Sequence, residues 1–392
     1  MTQRVLVLGA DGYCGWSAAL HLSARGFELV ASDNYVRRDV WDKYRLQDYA
    51  LEVDGANTPL YPVKPAHERL ATWAQVTGKT IQFVRTDLVD YPQVEALIDS
   101  VRPDAVVHFA EQRSAPFSNL SPQHALETLK NNTFSTYNLL EAISRVDPSI
   151  HLVKLGTMGE YGYTPQESFI EEGSIDFPKR PASPYHMTKC MDSIALEMMR
   201  RIYKLRVTDL HQGVVYGIRT DETAIHPDLY NRFDYDGVWG TVINRFCAQA
   251  LAGEPLSIYG AGGQSRGIIS IQDSVRCIEL ALLNPPRPGD MEVRNQITEI
   301  RTVQEIAGEV MSACQALGLQ AEARSCYNPR LENEGHDLKV RFGGFVKLGL
   351  KPRTLRQTLV ESDLPFLIPF KDQVRRELLS NQTLADWRKR DA

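Results

Sequence analysis

Residues 4–15 read Arg-Val-Leu-Val-Leu-Gly-Ala-Asp-Gly-Tyr-Cys-Gly, a short apolar strand running directly into glycines at positions 9, 12 and 15. That spacing opens a dinucleotide-binding unit. Gly9 permits the tight turn, Gly12 lets the backbone approach a pyrophosphate, and Gly15 allows a helix to pack closely on the strand. Asp11, Tyr13 and Cys14 lie in the same turn and are expected to touch the cofactor. A helix over Trp16 to Arg25 would turn its positive N-terminal end toward the phosphates. A second strand, Phe27 to Ser32, ends at Asp33, whose carboxylate is placed to accept the two hydroxyls of an adenosine ribose, with Asn34 beside it.

Working outward, strand and helix patterns alternate. Strands are expected at Ile81–Val84, Asp104–Phe109 and His151–Leu155, and helices at Tyr91–Val101 and Leu126–Ser144. Continuous apolar runs such as Ala105-Val106-Val107 suit strands buried on both faces of a parallel sheet. The expected fold is therefore α/β, a doubly wound parallel sheet of Rossmann type with a smaller, partly interleaved C-terminal substrate domain. Residues 1–212 would form the cofactor domain, with 241–283 returning to it. Residues 213–240 and 284–392 would bind the substrate. A polar, Pro- and Gly-punctuated insertion breaks the rhythm between 35 and 80.

The 392 residues carry a net charge of −5, with 43% hydrophobic and 24% charged residues, an ordinary globular composition that argues against a general nucleic-acid or anionic-membrane surface. No apolar run approaches the length of a membrane span. The first strand begins too early for a signal peptide, which implies a cytoplasmic protein. Six cysteines (14, 190, 247, 277, 314 and 326) are scattered singly, without metal-binding spacing, so no metal is expected.

Tyr185 and Lys189 stand four apart in Ser-Pro-Tyr-His-Met-Thr-Lys, a spacing that puts both on one face of a helix. An ammonium beside a phenol favours the phenolate, so this tyrosine can act as a base near neutrality. Thr157, just past the strand at His151–Leu155, could polarise the same substrate oxygen.

Fingerprint, strand-end Thr157 and Tyr-x-x-x-Lys, in that order, resemble the extended short-chain dehydrogenase/reductases, the group of sugar-nucleotide epimerases and dehydratases. The resemblance implies tightly held NAD that oxidises a sugar C4 hydroxyl and later returns the hydride. It assigns Tyr185 as base, Lys189 as its tuner and nicotinamide-ribose ligand, and Thr157 as hydrogen-bond partner. Asp33, with no basic residue directly after it, favours NAD over NADP, although Arg37 and Arg38 lie close by. Asp87-Leu88 matches the adenine-side contact, and Phe109 ends the neighbouring strand on the cofactor side.

Longer stretches resemble the sulfoquinovose-synthase branch of that family. They are 11–16, Val-Arg-Arg (36–38), His-Phe-Ala-Glu-Gln-Arg-Ser-Ala-Pro-Phe-Ser (108–118), 153–162, Gln-Gly-Val-Val-Tyr-Gly (212–217) and Asn-Arg-Phe-Asp-Tyr-Asp-Gly-Val-Trp-Gly-Thr (231–241). That branch implies a UDP-sugar, UDP-glucose, oxidised at C4, stripped of its 6-hydroxyl to a 4-keto-5-ene, attacked by sulfite at C6 and reduced again. Related dehydratases carry Asp-Glu directly after the threonine; here Met158-Gly159 stands instead. Acid/base work would then fall to His186 or Glu160, with Glu111 further off. Arg113, helped by Gln112, would cradle the sulfite. By resemblance Arg266, in Tyr-Gly-Ala-Gly-Gly-Gln-Ser-Arg (259–266), clamps the diphosphate, with Arg330 and Arg245 as further cations.

The branch pattern Asp-Leu-Asn-Gln-Gly reads Asp-Leu-His-Gln-Gly here, so His211 and Gln212 are expected at a substrate-facing strand end. The segment 39–65 looks unlike the branch, the loop after Glu172 is short, and Ala110 replaces a glycine. These departures also fit a related nucleotide-sugar epimerase or dehydratase that uses no sulfite. A non-catalytic NAD-binding scaffold is disfavoured by the intact Thr157, Tyr185 and Lys189. The resemblance further implies a homodimer packed through helices 126–144 and 187–203.

Overall fold

The structure, a computed structural model, describes residues 3–38, 60–162, 169–173, 179–330 and 336–379. Residues 39 to 59 of the insertion at 35–80 lie outside the described residues, as do 174–178 of the loop after Glu172.

Seven parallel strands form the large sheet: β1 (Arg4–Leu8), β2 (Glu28–Asp33), β3 (Gln82–Arg85), β4 (Ala105–His108), β5 (His151–Thr157), β6 (Arg206–Gln212) and β10 (Met291–Gln296). Their spatial order is β3-β2-β1-β4-β5-β6-β10. Alternate side chains of a strand point to opposite faces, and the apolar runs divide accordingly. Val5, Val7 and Val107 join one core, under helices Tyr13–Ala24 and Ile271–Leu283, while Leu6, Leu8 and Val106 join another, under helices Tyr91–Val101, Pro122–Val146 and Pro184–Tyr203. The last three helices start alike. Asp90, Ser121 and Ser183 each accept a backbone N–H of the first turn, and a proline follows at the first or second helical position.

A second core gathers around helices Val242–Ala252 and Val303–Ala316. It lies beside a three-stranded sheet ordered β11-β9-β7 (Glu299–Thr302, Ser265–Ser270, Val214–Tyr216) and the pair β12-β8 (Ala323–Cys326, Leu256–Tyr259). Two expectations about segment membership meet differences. Strand β10, expected with the substrate half, extends the large sheet by pairing with β6. Of the segment 241–283, only the helix Ile271–Leu283 covers that sheet, whereas Val242–Ala252 belongs to the second core. Among the described residues no helix is long and apolar enough to cross a membrane.

The strand order reverses between β1 and β4. Ligands of open parallel sheets bind at such a point, outside the strands' carboxyl ends.

Candidate active site

Two cavities open at that reversal and meet at Tyr185. The first runs along Gly9, Gly12, Tyr13, Cys14, Gly15, Asp33, Asn34, Arg37, Asp87, Leu88, Phe109 and Lys189. Thr157, His186, Gln212, Arg245, Arg266 and Arg330 line the second. Most residues singled out in the sequence are thus brought together.

The first cavity fits a dinucleotide. Gly9 has φ +78°, and a Cβ there would lie 2.7 Å from the backbone of Ala110; one on Gly15 would lie 2.0 Å from the Gly9 carbonyl oxygen. The helix begins at Tyr13, earlier than expected, and no side chain caps it, so its first N–H groups remain for an anion. Arg37 Nε and Nη1 are buried in the same wall with no hydrogen-bond partner among the described residues. Burial, with the nearby Asp11 charge adding to it, raises the Asp33 carboxyl to about 6.

Asp11 is the exception on this side. It faces away from the cavity, held by Arg38 at 2.5 and 2.8 Å and by Arg69 at 3.5 Å, while its own N–H donates to Asp33. The cationic neighbour Arg38 is thereby committed to Asp11 and to the carbonyls of Val63 and Lys64.

Around Tyr185 the geometry follows from local chain chemistry. Strand β5 continues two residues beyond the expected end and delivers Thr157 to the cavity, where its Oγ1 accepts the Gly159 N–H at 3.1 Å and keeps its own proton for a ligand. Helix Pro184–Tyr203 carries Tyr185 and Lys189 in its first two turns, with Lys189 Nζ 5.9 Å from the Tyr185 ring centre. His186 is buried at the wall of the second cavity, its Nδ1 3.0 Å from Ser183 Oγ. Burial first, then the charges of Arg330 and Arg266, push its imidazole down to about 3, so it sits neutral at physiological pH. Arg245 donates to Tyr259 at 2.8 Å, and Arg330 lies 5.7 Å from the same ring. With Arg266 in the same wall, three guanidiniums face a cavity suited to a diphosphate.

Five expected roles change. Glu160 and His211 line neither cavity. They form a buried cluster with Asp209, in which His211 Nε2 lies 3.4 Å from Asp209 and 3.7 Å from Glu160, and Nδ1 lies 2.7 Å from the Tyr161 hydroxyl. Burial opposes a charge on His211, but the two carboxylates overcome it and raise its pKa. Lys179 pairs with Glu160 at 3.0 Å, so the cluster balances its own charges. Glu111 lies on the cofactor side and pairs with Lys189. Gln112 is spent on Thr128 and the Ser114 carbonyl, bracing a loop.

Arg113 does border both cavities, yet its guanidinium is held by Asp234 at 2.7 Å and the Trp239 carbonyl at 3.0 Å. Arg37 reaches the same Asp234 at 3.1 Å and stacks 4.1 Å over Trp239. The segment 231–241 is therefore a wall pinned across the junction. The residues that pin it are Asp234 and Trp239, which the sequence alone does not single out. Their only signal was the length of that motif.

A model described as the NAD dependent epimerase/dehydratase family matches residues 5–293. A chloroplastic UDP-sulfoquinovose synthase of Spinacia oleracea is 44% identical over 383 residues, covering 95% of this chain and 77% of the relative. A UDP-sulfoquinovose synthase of Sulfolobus acidocaldarius is 39% identical over 396 residues, 98% of each chain. Among solved structures, a Thermus thermophilus UDP-glucose 4-epimerase in complex with NAD superposes with a TM-score of 0.61 at 25% identity, over 91% of this chain and 96% of that one.

Proposed function

The chain belongs to the NAD-dependent epimerase/dehydratase family, and from that premise we propose that it is a UDP-sugar-modifying enzyme of sulfoquinovose-synthase type. Bound NAD supplies a reversible hydride acceptor. The residues do the rest. Tyr185, facing the Lys189 ammonium, takes the C4 hydroxyl proton while Thr157 holds that oxygen. Oxidation at C4 acidifies the C5 proton. The neutral imidazole of His186 can accept it and, now protonated, deliver it to the departing 6-hydroxyl, which leaves as water. Sulfite, as bisulfite, then bonds through sulfur to C6 of the resulting 4-keto-5-ene while its proton passes to C5, and C4 is reduced as Tyr185 returns the proton to its oxygen. Arg245, Arg266 and Arg330 hold the diphosphate.

The observation that carries this reading is the His186 ring lying against Gly159, beside Thr157 and Tyr185. Where related dehydratases have an acid pair, this protein has space filled by one uncharged imidazole. A second reading, a nucleotide-sugar epimerase that uses no sulfite, is favoured by the engagement of Arg113 with Asp234, which leaves no dedicated sulfite cradle at that position. Incubation with UDP-glucose, with and without sulfite, followed by mass analysis of the nucleotide sugar, separates the two.

The proposed assembly is a homodimer. Met187, Met191 and Ile194 recur at helical spacing on one exposed face of helix Pro184–Tyr203, and Leu126, Phe134 and Tyr137 are exposed on the neighbouring helix Pro122–Val146. Light scattering during size exclusion checks it; an Ile194→Glu protein should run as a monomer.

A further inference from the structure

We propose that Glu111 is a positioning residue for Lys189, a buried counter-ion that keeps its ammonium charged and aimed at the junction where Tyr185 works. The proposal rests on the reading of Tyr185 and Lys189 as the reacting pair.

Lys189 is buried at the wall of the first cavity. Two of its three N–H donors are used, one by Glu111 Oε2 and one by the Leu155 carbonyl at 2.6 Å, which leaves one for the cavity it lines. The other Glu111 oxygen accepts from Lys154 at 2.7 Å and from the Thr136 hydroxyl at 2.6 Å. Lys154, on β5, is wholly buried and also reaches Asp192 at 2.9 Å. The ionisable groups facing Lys189 are thus Glu111 and His108 from the β4 side, Lys154 from β5, and Asp192 and Tyr185 from its own helix.

A buried ammonium is costly without a partner. Burial pushes Lys189 down, Glu111 opposes that, and Lys154 adds a like-charge push in the same direction as burial. For Glu111, burial is outweighed by Lys154 and Lys189, which hold its carboxyl well below the usual range. His108 is driven to about 3 chiefly by burial and contributes no charge at neutrality. Glu111 is therefore the fixed anion of the set. It lies between two lysines, and only one of them reaches the reacting centre.

The test reads Lys189 directly. The holoenzyme is labelled with [ε-13C]lysine, the Lys189 signal is assigned from a Lys189→Met protein, and its titration is followed by NMR. In Glu111→Gln the Lys189 midpoint should fall by about one pH unit or more. Adding Lys154→Met to that variant removes the like charge and should return the midpoint toward the parent. A folded Glu111→Gln protein with an unmoved or higher midpoint overturns the proposal. Should that variant not fold, Lys154→Met alone frees Glu111 for Lys189 and should raise the midpoint; a fall or no change overturns the proposal equally. The titration uses no sugar substrate, so a negative sulfite assay leaves its result standing.

Discussion

The imidazole edge of His186 occupies the space that a side chain on residue 159 would fill: a Cβ there would lie 2.2 Å from Cδ2 and 2.6 Å from Nε2. Gly159 and His186 are therefore interdependent. Gly159→Ala should displace the ring from Ser183 and lower kcat by about 100-fold, since small misplacements at a reacting centre carry costs of that order. Circular dichroism should show the fold retained.

His186→Ala separates the steps assigned to different residues. Oxidation at C4 needs Tyr185 and Thr157, so UDP-glucose should still reduce the bound cofactor, seen as near-ultraviolet absorbance of the reduced nicotinamide. Elimination should slow by about 10²–10⁴-fold. Tyr185→Phe should instead abolish the absorbance change itself. Equal loss of both signals in His186→Ala contradicts the division of labour.

Cofactor affinity should depend on acid through Asp33. Its carboxyl titrates near 6 because it is buried beside Asp11, and only the ionised form accepts two ribose hydroxyls. The affinity is thus full above that value and declines below it, by about tenfold per pH unit. Calorimetric titration of cofactor-stripped protein with NAD at about pH 7.5 and about pH 5 checks the direction. Asp33→Asn should bind weakly at both.

Asp234 is the shared counter-ion of Arg37 and Arg113, with Arg232 3.8 Å away. Asp234→Ala strands buried guanidinium charge and should cost about 3–5 kcal/mol of stability. It also unpins Trp239 from the junction, so NAD should dissociate faster. Denaturant unfolding and the rate of cofactor loss into an NAD scavenger measure the two effects.

What could be read without the structure was local. The Gly9, Gly12, Gly15 turn, the strand ending at Asp33 and the Tyr185–Lys189 pair are each written within one or two elements, where backbone geometry alone sets the neighbours. Arg266 is legible by resemblance to a longer motif, and Arg330 and Arg245 as further cations in the same half of the chain. The misassigned residues owe their surroundings to distant segments. Whether Glu111 faces sugar or lysine is decided by Lys154 on the adjacent strand. Glu160 and His211 were turned inward by Asp209, Lys179 and Tyr161. Arg113 meets Asp234 across 121 positions of sequence. Alternation could mark Met291–Gln296 as a strand but not name β6 as its partner.

The most direct test is the nucleotide-sugar product formed from UDP-glucose with sulfite present, against a control without it, weighed by mass spectrometry. A sulfonated UDP-hexose should appear only when sulfite is present. A dehydrated or epimerised UDP-sugar, formed equally with and without sulfite and carrying no sulfur, would contradict it.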